Sequence, residues 1–544
     1  MKRRTGAKAV AIAAAGALLL SACSTSTTGG GGGDDKGGML TVGTTDKVVA
    51  LDPAAAYDNG SSLVEQQIYP YILAYKPGTA ELNPSIAESA DFTEPTKYEV
   101  KLKDGLKYAN GNELTSSDVK FSFDRQLKIQ DPNGPSSLLG GLKSVETPDE
   151  KTVVFNLKRK NDQTWPGVLA SAAGPIVDED VFSADKVTKD QEIVDGKAFA
   201  GPYTIDGFKF NELITYKANP DYKGFIEPAK TETVQMKYYS DANNMKLDVQ
   251  ENTIDVAWRS LSATDVEDLG KNEDLKVHKG PGGEIRYIVF NYDTMPFGAK
   301  TDDADEKKAL AVRQAMADSV DRQAIASQVY KDTFTPLYSH VPDGLPGSDE
   351  PLKSEYGDGK GGADVEKAKK ALKDAGVKTP VELKLQYNPD HYGPSSGDEY
   401  ALVKDQLDKT GLFNVKLQST EWVQYSKDRT DDVYPMYQLG WFPDYSDADN
   451  YLVPFFYDTD ETPSFLANHY RDEAMNKELN AQSSIADKGK REDALKKIQG
   501  ELADELPTLP LLQGNQIAVS GKDVKGVDDT LDPAFQFRLA LLSK

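Results

Sequence analysis

Apolar and polar residues alternate along the chain with two different periods, which predict strands and helices in turn. Residues 97–114, KYEVKLKDGLKYANGNEL, alternate at every second position and contain the turn signals Asp-Gly and Asn-Gly, so we expect a pair of strands. The segment 115–128 then has helical spacing, with Thr115 or Ser116 as the N-cap. Because strands and helices continue to interleave, the pattern predicts α/β lobes.

The same alternation continues in the second half of the chain. Residues 305–330 and 362–376 have helical spacing, and we expect the second helix to end at Gly376. VELKLQY at 381–387 alternates strictly and predicts a strand. About 500 residues follow the N-terminal region, which is too many for one hydrophobic core, so two or more lobes are expected. This body contains no apolar run of about twenty residues, which predicts a soluble folded region.

The N-terminus has the pattern of an export signal. A basic stretch, MKRRTGAK, precedes a short apolar run, and LSAC at 20–23 then resembles the lipobox of bacterial lipoproteins. Cys23 is the only cysteine among 544 residues, and it lies where acylation would use it. We therefore predict a signal peptide over 1–22, a lipid anchor on Cys23 and a glycine-rich flexible tether over 23–38.

Composition and motifs argue against several classes of function. A formal net charge of −24 repels phosphates, so nucleic acid is not an expected partner. The four histidines form no HExxH motif and no i, i+4 pair, and we predict no metal site and no other cofactor. Serines with distant acids are too common to nominate a catalytic triad, so we expect no enzymatic activity.

Residues 440–452, GWFPDYSDADNYL, mix acids with aromatic rings. A carboxylate walled by rings suits a cation or an amine, because the rings exclude water and strengthen the charge interaction. An ordinary polar loop with half-buried rings explains the same residues equally well, so both interpretations stay open at this point. The D-x-D pattern of Asp447 and Asp449 lacks the glycine and the glutamate of a calcium loop, which argues against calcium.

Several blocks of the sequence resemble the extracytoplasmic solute-binding proteins of ABC importers, in the dipeptide, oligopeptide and nickel class called family 5. The blocks are 83–125, AGPYTIDGF at 200–208, YKANPDYKG at 216–224, YIVFNYDTMPF at 287–297, VRQAMADSVDRQAI at 312–325 and the stretch 440–452. They occur in the family's order and cover nearly the whole mature chain. The chain is therefore identified as similar to this family throughout.

The resemblance implies an α/β fold of the periplasmic-binding-protein type, a clamp of two lobes hinged by two crossings. The implied parts are a first lobe over 39–287 and 514–544, a subdomain inserted in it at about 76–195, and a second lobe over 288–513. The crossings are expected near 289–291 and near 511–515.

The resemblance also implies how a ligand is held. In peptide-binding members the aspartate of a G-W-x-x-D block pairs with the peptide's α-ammonium, which here implies Asp444. Trp441 would wall the same pocket, and the backbone around Gly440 would bond an extended peptide as an added strand. The next residues match a D-P-D-N pattern and are expected to form a turn without touching the ligand: Asp447, Ala448, Asp449 and Asn450.

The residues expected to hold a ligand carboxylate depart from the family pattern. Dipeptide binders carry an arginine just before a Y-N-P segment, and here a glutamine precedes 387–389. Oligopeptide binders have a basic residue two before the G-W pair, and here it is Gln438. Because an arginine fork is hard to replace, we expect a loosely held peptide C-terminus met by His391 or water. Tyr387, Asn388 and Gln438 are expected to line the cleft.

Together these features imply a monomeric, lipid-anchored binding protein on the outer face of the cell membrane. It would capture oligopeptides and deliver them to permease subunits that work with an ATPase. One alternative keeps the fold and changes the ligand to an oligosaccharide, a nickel chelate or an amine-bearing metabolite. A secreted hydrolase is the third hypothesis.

Overall fold

A computed structural model describes residues 38–544. The predicted signal peptide, Cys23 and all but the last residue of the predicted tether lie outside the described residues. Across 38–544, no helix combines the length and the apolar character needed to cross a membrane.

Residues 38–544 contain seventeen strands, and eleven of them, from both ends and the middle of this range, form one mixed sheet. The strands are β1 Met39–Thr44, β2 Leu73–Tyr75, β3 Leu82–Pro84, β4 Ala87–Glu94, β5 Lys97–Leu102, β6 Leu142–Asp149, β7 Thr152–Leu157, β8 Tyr203–Lys209, β9 Leu213–Ala218, β10 Thr233–Tyr238, β11 Val256–Trp258, β12 Leu275–Phe290, β13 Phe334–Pro336, β14 Val381–Tyr387, β15 Phe413–Ser419, β16 Met436–Trp441 and β17 Thr508–Gly521. The main sheet has the order β15-β14-β16-β12-β17-β11-β1-β10-β9-β8, with β13 paired to β17.

Helices cover this sheet and separate most of its strands in sequence. They are α1 Asn59–Ile68, α2 Ser116–Ile129, α3 Trp165–Val168, α4 Asp190–Asp195, α5 Ala242–Gln250, α6 Ala263–Leu269, α7 Glu306–Ser319, α8 Arg322–Gln328, α9 Pro351–Glu355, α10 Val365–Asp374, α11 Ser396–Lys409, α12 Trp422–Thr430, α13 Asp449–Phe456, α14 Glu473–Gln482, α15 Lys488–Glu505 and α16 Val527–Thr530. This α/β architecture is the two-lobed clamp expected from the sequence.

The long antiparallel strands β12 and β17 are neighbours in the main sheet and pair over most of their length. Their pairing is interrupted between Gly280, which faces Gln516, and Glu284, which faces Gly514. Gly282 fits this interruption because a Cβ there would lie 2.0 Å from the carbonyl oxygen of Gly514. The sequence PGGE at 281–284 thus permits a close approach between the backbones of β12 and β17. The lobe boundaries drawn from the resemblance remain a proposal.

The four-stranded sheet β4-β5-β7-β6 forms a separate layer covered by α2. Thr115 caps α2 in a capping box with Asp118, as one of the two predicted caps. The predicted strand pair over 97–114 is wrong in its second half. Only β5 forms there, and its partners are β4 upstream and β7 downstream. The remainder turns at Gly105 and Gly111, both with positive φ, and makes one isolated bridge.

The helical segments of the second lobe follow the predicted spacing with one break. The region predicted as helical over 305–330 forms α7 and α8, because Asp321 caps a new helix by accepting a hydrogen bond from the Ala324 amide. The helix predicted over 362–376 is α10, which Asp364 caps. The strand predicted over 381–387 is β14.

A buried histidine in the second lobe predicts a particular acid sensitivity. His340 packs against the rings of Tyr287 and Phe455, and burial lowers its pKa to about 3. Below a pH of about 6.5 the His340 imidazole therefore binds a proton in the unfolded chain but not in the folded chain. The free energy of unfolding thus falls as the pH falls toward 3. We expect His340→Gln to reduce the slope of the free energy of unfolding against pH by up to about 1.4 kcal/mol per pH unit. Urea unfolding between pH 6.5 and 4 tests this, and equal slopes in both proteins would contradict it.

Candidate ligand-binding site

A cavity of about 570 Å³ lies between the lobes. Its lining comes from α1 with the residues before it, from residues 71, 75 and 170–172, from residues 391, 392, 422 and 465, from the loop that follows β16, and from the segment 534–536. Rings dominate its wall, and the aromatic lining comprises Tyr57, Tyr71, Tyr75, Tyr392, Trp422, Trp441, Phe442, Phe465 and Phe535. A cavity walled by rings, with polar side chains placed among them, suits an organic ligand that hydrogen bonds orient.

β16 brings Gly440 and Trp441 to the cavity. Gly440 pairs with Arg286 of β12, and a Cβ on Gly440 would lie 3.0 Å from the ring of Tyr392. On its other side β16 pairs with β14 at Met436 and Tyr437, and beyond those residues no strand of the described chain continues this edge. The backbone of this end of β16 is thus placed to accept an added strand.

Asp444 lies in the cavity wall, and both of its carboxylate oxygens accept hydrogen bonds from neutral groups. The Asn450 side-chain amide donates to Oδ2 at 2.8 Å, and the Tyr57 hydroxyl donates to Oδ1. Among residues 38–544, no lysine, arginine or histidine nitrogen lies within 4.0 Å of this carboxylate. Burial raises the pKa of Asp444, and the two hydrogen bonds offset that rise only in part.

Asn450 holds the site together, although the sequence predicted only a turn residue there. Its side-chain oxygen accepts hydrogen bonds from the indole Nε1 of Trp441 at 3.0 Å and from the Asp444 amide at 2.9 Å. Asn450 is buried within the first turn of α13. One side chain therefore fixes both the aromatic wall and the carboxylate.

The two neighbouring acids anchor the loop from behind. Asp447 forms a two-point ion pair with Arg491 of α15, with both N–O distances at 2.7 Å, and also accepts a hydrogen bond from the Asp449 amide. Asp449 is buried and accepts a hydrogen bond from Gln482, and burial followed by the nearby Asp447 raises its pKa to about 6. Both acids therefore stabilise the loop that presents Asp444.

The loop after β16 also contacts the N-terminal part of the chain. Tyr445 packs into the core of the subdomain, where a Cβ on Gly167 would lie 2.9 Å from its ring. The Ser446 amide donates to the Tyr75 hydroxyl at 3.0 Å. With the contact between Tyr57 and Asp444, these interactions join the two lobes around the cavity.

The structure separates the predicted ligand residues into two groups. Gly440, Trp441, Asp444 and His391 line the cavity, whereas Tyr387, Asn388 and Gln438 do not. Tyr387 is half-buried and stacks on Tyr400. Gln438 is fully buried and accepts a hydrogen bond from the Asn388 amide at 2.9 Å.

Asn388 acts through its neighbours. Its side-chain oxygen accepts a hydrogen bond from the His391 amide, which fixes the loop that carries His391. The His391 ring stacks on Trp422 with centroids 3.8 Å apart. Desolvation, and then the positive charge of Arg286, lower the pKa of His391. A neutral imidazole is a weak partner for a ligand carboxylate at neutral pH.

Tyr57 and Asn450 donate the hydrogen bonds to the Asp444 carboxylate, and the sequence did not predict this role for either residue. Tyr57 lies 387 positions before Asp444 in the chain, so no local pattern joins the two. Asn450 belongs to a recognised block, but its residue type alone is compatible with a turn. The aromatic content of the region was the one available signal.

A variant of Asn450 tests whether the carboxylate must be held in place. Asn450→Ala removes the hydrogen bond to Asp444 Oδ2 and the acceptor for Trp441. We expect peptides with a free amino terminus to bind about tenfold more weakly, which corresponds to about 1.4 kcal/mol and lies within the range for one lost buried hydrogen bond. Calorimetry measures the affinity, and thermal unfolding checks that the variant is folded. Unchanged affinity would exclude this positioning role.

A hinged α/β clamp with a ring-lined cavity between its lobes defines a solute-binding protein. Residues 81–463 match the family described as bacterial extracellular solute-binding proteins, family 5 Middle. The match covers more than half of the chain, so this chain belongs to that family, whose members are substrate-binding components of ABC importers.

Individual relatives are distant but extend over most of the chain. The dipeptide-binding protein of Escherichia coli K12 is 24% identical over 479 residues, which cover 84% of this chain and 86% of that protein. Heme-binding protein A of Haemophilus influenzae is 26% identical over 494 residues, with 85% and 84% covered.

Solved structures confirm the fold. The ABC transporter substrate-binding protein CtaP of Listeria monocytogenes has a TM-score of 0.77 at 22% identity, with 93% of this chain and 99% of that chain covered. The oligopeptide-binding protein AppA of Bacillus subtilis, solved with a nonapeptide, has a TM-score of 0.67 at 22% identity, with 93% and 99% covered.

Proposed function

We propose that this protein captures oligopeptides by their free α-ammonium group and delivers them to an ABC permease. The observation that carries the proposal is the carboxylate of Asp444, which lies in a ring-lined cavity between the lobes and has only neutral hydrogen-bond donors. An ammonium group placed there would supply the missing positive charge in a site that the rings shield in part from water. The end of β16 that, on its β14 side, has no strand partner beyond Tyr437 in the described chain would bond the peptide backbone.

The relatives agree with a peptide ligand without fixing it. One is named for dipeptides and one for heme, and one structural neighbour was solved with a nonapeptide. A non-peptide ligand with an amine would use the same carboxylate and is the second candidate. An oligosaccharide has less support, because sugar rings stack on aromatic side chains without needing a carboxylate opposite an ammonium group.

The proposal includes a lipid anchor at Cys23, a monomeric state and no chemical reaction on this chain.

Two arrangements of residues resemble parts of a hydrolase, but neither has the geometry of a catalytic site. His278 lies between Ser520 Oγ, at 2.9 Å, and Asp528, at 2.6 Å, but Ser520 is fully buried. Gly393 to Gly397 has the spacing G-x-S-x-G, but eight residues separate β14 from α11 there, in place of the sharp strand-to-helix turn of a nucleophile elbow.

Native mass spectrometry of the protein purified from its own host tests the ligand class. We expect a series of masses that correspond to peptides of several lengths. A single non-peptide mass would favour the second candidate. The mass of the protein after detergent extraction shows whether Cys23 carries acyl chains. Incubation of the protein with the released peptides shows whether it cleaves those peptides.

A further inference from the structure

A second compartment of about 340 Å³ adjoins the cavity that contains Asp444. The two share His391, Tyr392, Phe442 and Phe535 as lining residues. The rings of Phe442 and Phe535 meet edge to face, with centroids 5.4 Å apart, at this boundary. Phe442 follows β16 and Phe535 belongs to the C-terminal segment, so the boundary is made by separate parts of the chain.

Arg286 faces this compartment with hydrogen-bonding capacity left over. Only 5% of the residue is exposed, and Nε and Nη1 have no hydrogen-bond partner in the described chain. Its Nη2 pairs with Glu284, and its guanidinium carbon lies 4.6 Å from the ring centroid of Tyr392. An unsatisfied buried guanidinium is costly, so such a group is expected to have a partner in the working state of the protein.

Arg259 brings a second guanidinium to the same compartment. Its side chain is 17% exposed, and it lies 3.5 Å from Asp46 without a hydrogen bond from Nη1. The guanidinium carbon lies 5.5 Å from the ring centroid of Phe442 and 5.3 Å from that of Phe535. Arg259 therefore covers the two rings that separate the compartments.

The other charged groups near Arg286 do not satisfy its free nitrogens. Glu284 occupies one nitrogen of the guanidinium. Glu399 accepts a hydrogen bond from the Tyr330 hydroxyl at 2.7 Å, and burial raises its pKa to about 7. His391 is neutral at physiological pH for the reason given above. Two buried nitrogens of Arg286 thus remain without a partner beside the compartment, and an anionic group reaches them once the side chains that cover them move.

We propose that this compartment binds a carboxylate of the ligand, through Arg286 and Arg259, while Asp444 binds its amine. The inference rests on the proposed function and extends it to the other end of the ligand. Arg286 lies opposite Gly440 in the sheet, so an extended ligand on the edge of β16 would pass from one anchor to the other. The carboxylate comes either from the C-terminus of a peptide or from an acidic side chain, and both present the same two oxygens to a guanidinium fork.

Matched alanine peptides of three to six residues test this subsite by calorimetry. Each length is measured as the free acid, the C-terminal amide and the N-acetylated acid. We expect amidation to weaken binding to the unaltered protein at least tenfold. In Arg259→Gln the ratio between acid and amide should fall at least threefold, and in Arg286→Gln it should approach one. Arg259 is partly exposed, so its variant keeps the test decisive if Arg286→Gln does not fold.

Asp444→Asn is the matched control, because it should weaken the acid and the amide by the same factor. An amidated peptide with one glutamate that regains the affinity of the acid would support the subsite and assign the carboxylate to a side chain. Equal affinity of acid and amide in the unaltered protein, with no gain from glutamate, would overturn the subsite. An absence of any effect of N-acetylation would instead overturn the amine anchor, and no binding by any of these peptides would overturn both.

Discussion

Asp444→Asn is expected to reduce the affinity for peptides with a free amino terminus by more than tenfold. The substitution keeps the size of the side chain and an acceptor for Tyr57 or Asn450, so the cavity should keep its shape. It removes the charge that would face the ammonium group in a site shielded by rings. Loss of one partner from a desolvated charge pair costs on the order of 2 to 5 kcal/mol. Calorimetry on the purified variant measures the change.

Asp58→Asn provides a control of equal charge in the same cavity. Asp58 lines the cavity, but its carboxylate caps α1 by accepting a hydrogen bond from the Ser61 amide at 2.8 Å. Asparagine is an equally good N-cap, so we expect less than a threefold change in affinity. N-acetylated peptides should bind the unaltered protein and Asp444→Asn alike. Equal loss in both variants would mean that general charge, and not Asp444, attracts the ligand.

The same carboxylate predicts how binding depends on pH. Burial raises the pKa of Asp444 in the ligand-free protein, and only the ionised form pairs with an ammonium group. Affinity should therefore fall as the pH falls, beginning at a higher pH than for an ordinary aspartate near 3.9. Calorimetry between pH 7 and 4 tests this, and a flat profile in that range would contradict it. Asp444→Asn should lose this dependence.

Local patterns predicted those elements that local interactions define. The strand over 381–387 alternates because one face packs into the core of its lobe, and its period was visible in the sequence. The cap of α2 depends on a hydrogen bond within one helical turn. The prediction for the second half of 97–114 failed because its glycines form turns and only Lys107 and Glu113 bridge there, whereas β5 pairs with β4 and β7. A turn signal predicts where the chain bends and not which strand it then meets.

The joining of the lobes could not be predicted in detail from such patterns. β12 and β17 are buried over most of their length, so they show no clear alternation. Their interruption depends on Gly282 approaching the backbone of Gly514, more than two hundred positions away. The sequence PGGE alone therefore does not predict the interruption, because the interruption depends on the partner strand β17.

In the candidate site, too, the sequence predicted some of the residues, whereas others are brought together only by the fold. Family resemblance nominated Asp444, Trp441 and Gly440, and the structure places all three on one cavity. The donors to Asp444 come from another lobe and from the next helix, so they depend on the fold and not on spacing. The absence of an arginine before 387–389 is visible in the sequence. The arginines of the second compartment are not, because Arg286 lies on β12 and Arg259 follows β11, and only the fold brings them together.

Arg125→Met is expected to produce the largest loss of stability among the substitutions considered. Arg125 of α2 and Asp52 are 1% and 0% exposed as side chains, and the guanidinium bonds both carboxylate oxygens, at 2.7 and 2.5 Å. Asp52 also accepts a hydrogen bond from the Thr188 amide at 2.6 Å. Removing the arginine leaves a buried carboxylate without its counter-charge, which costs about 3 to 5 kcal/mol in the free energy of unfolding.

Two further variants separate the loss of an ion pair from the loss of packing. Adding Asp52→Asn to Arg125→Met removes the unpaired charge, so the double variant should recover part of the stability that the single variant lost. Lys151→Met breaks an exposed pair with Asp104 and should change stability little, because water already solvates both groups. Urea unfolding measures all three. A double variant less stable than Arg125→Met would mean that the carboxylate itself, through Thr188, holds the subdomain to the N-terminal segment.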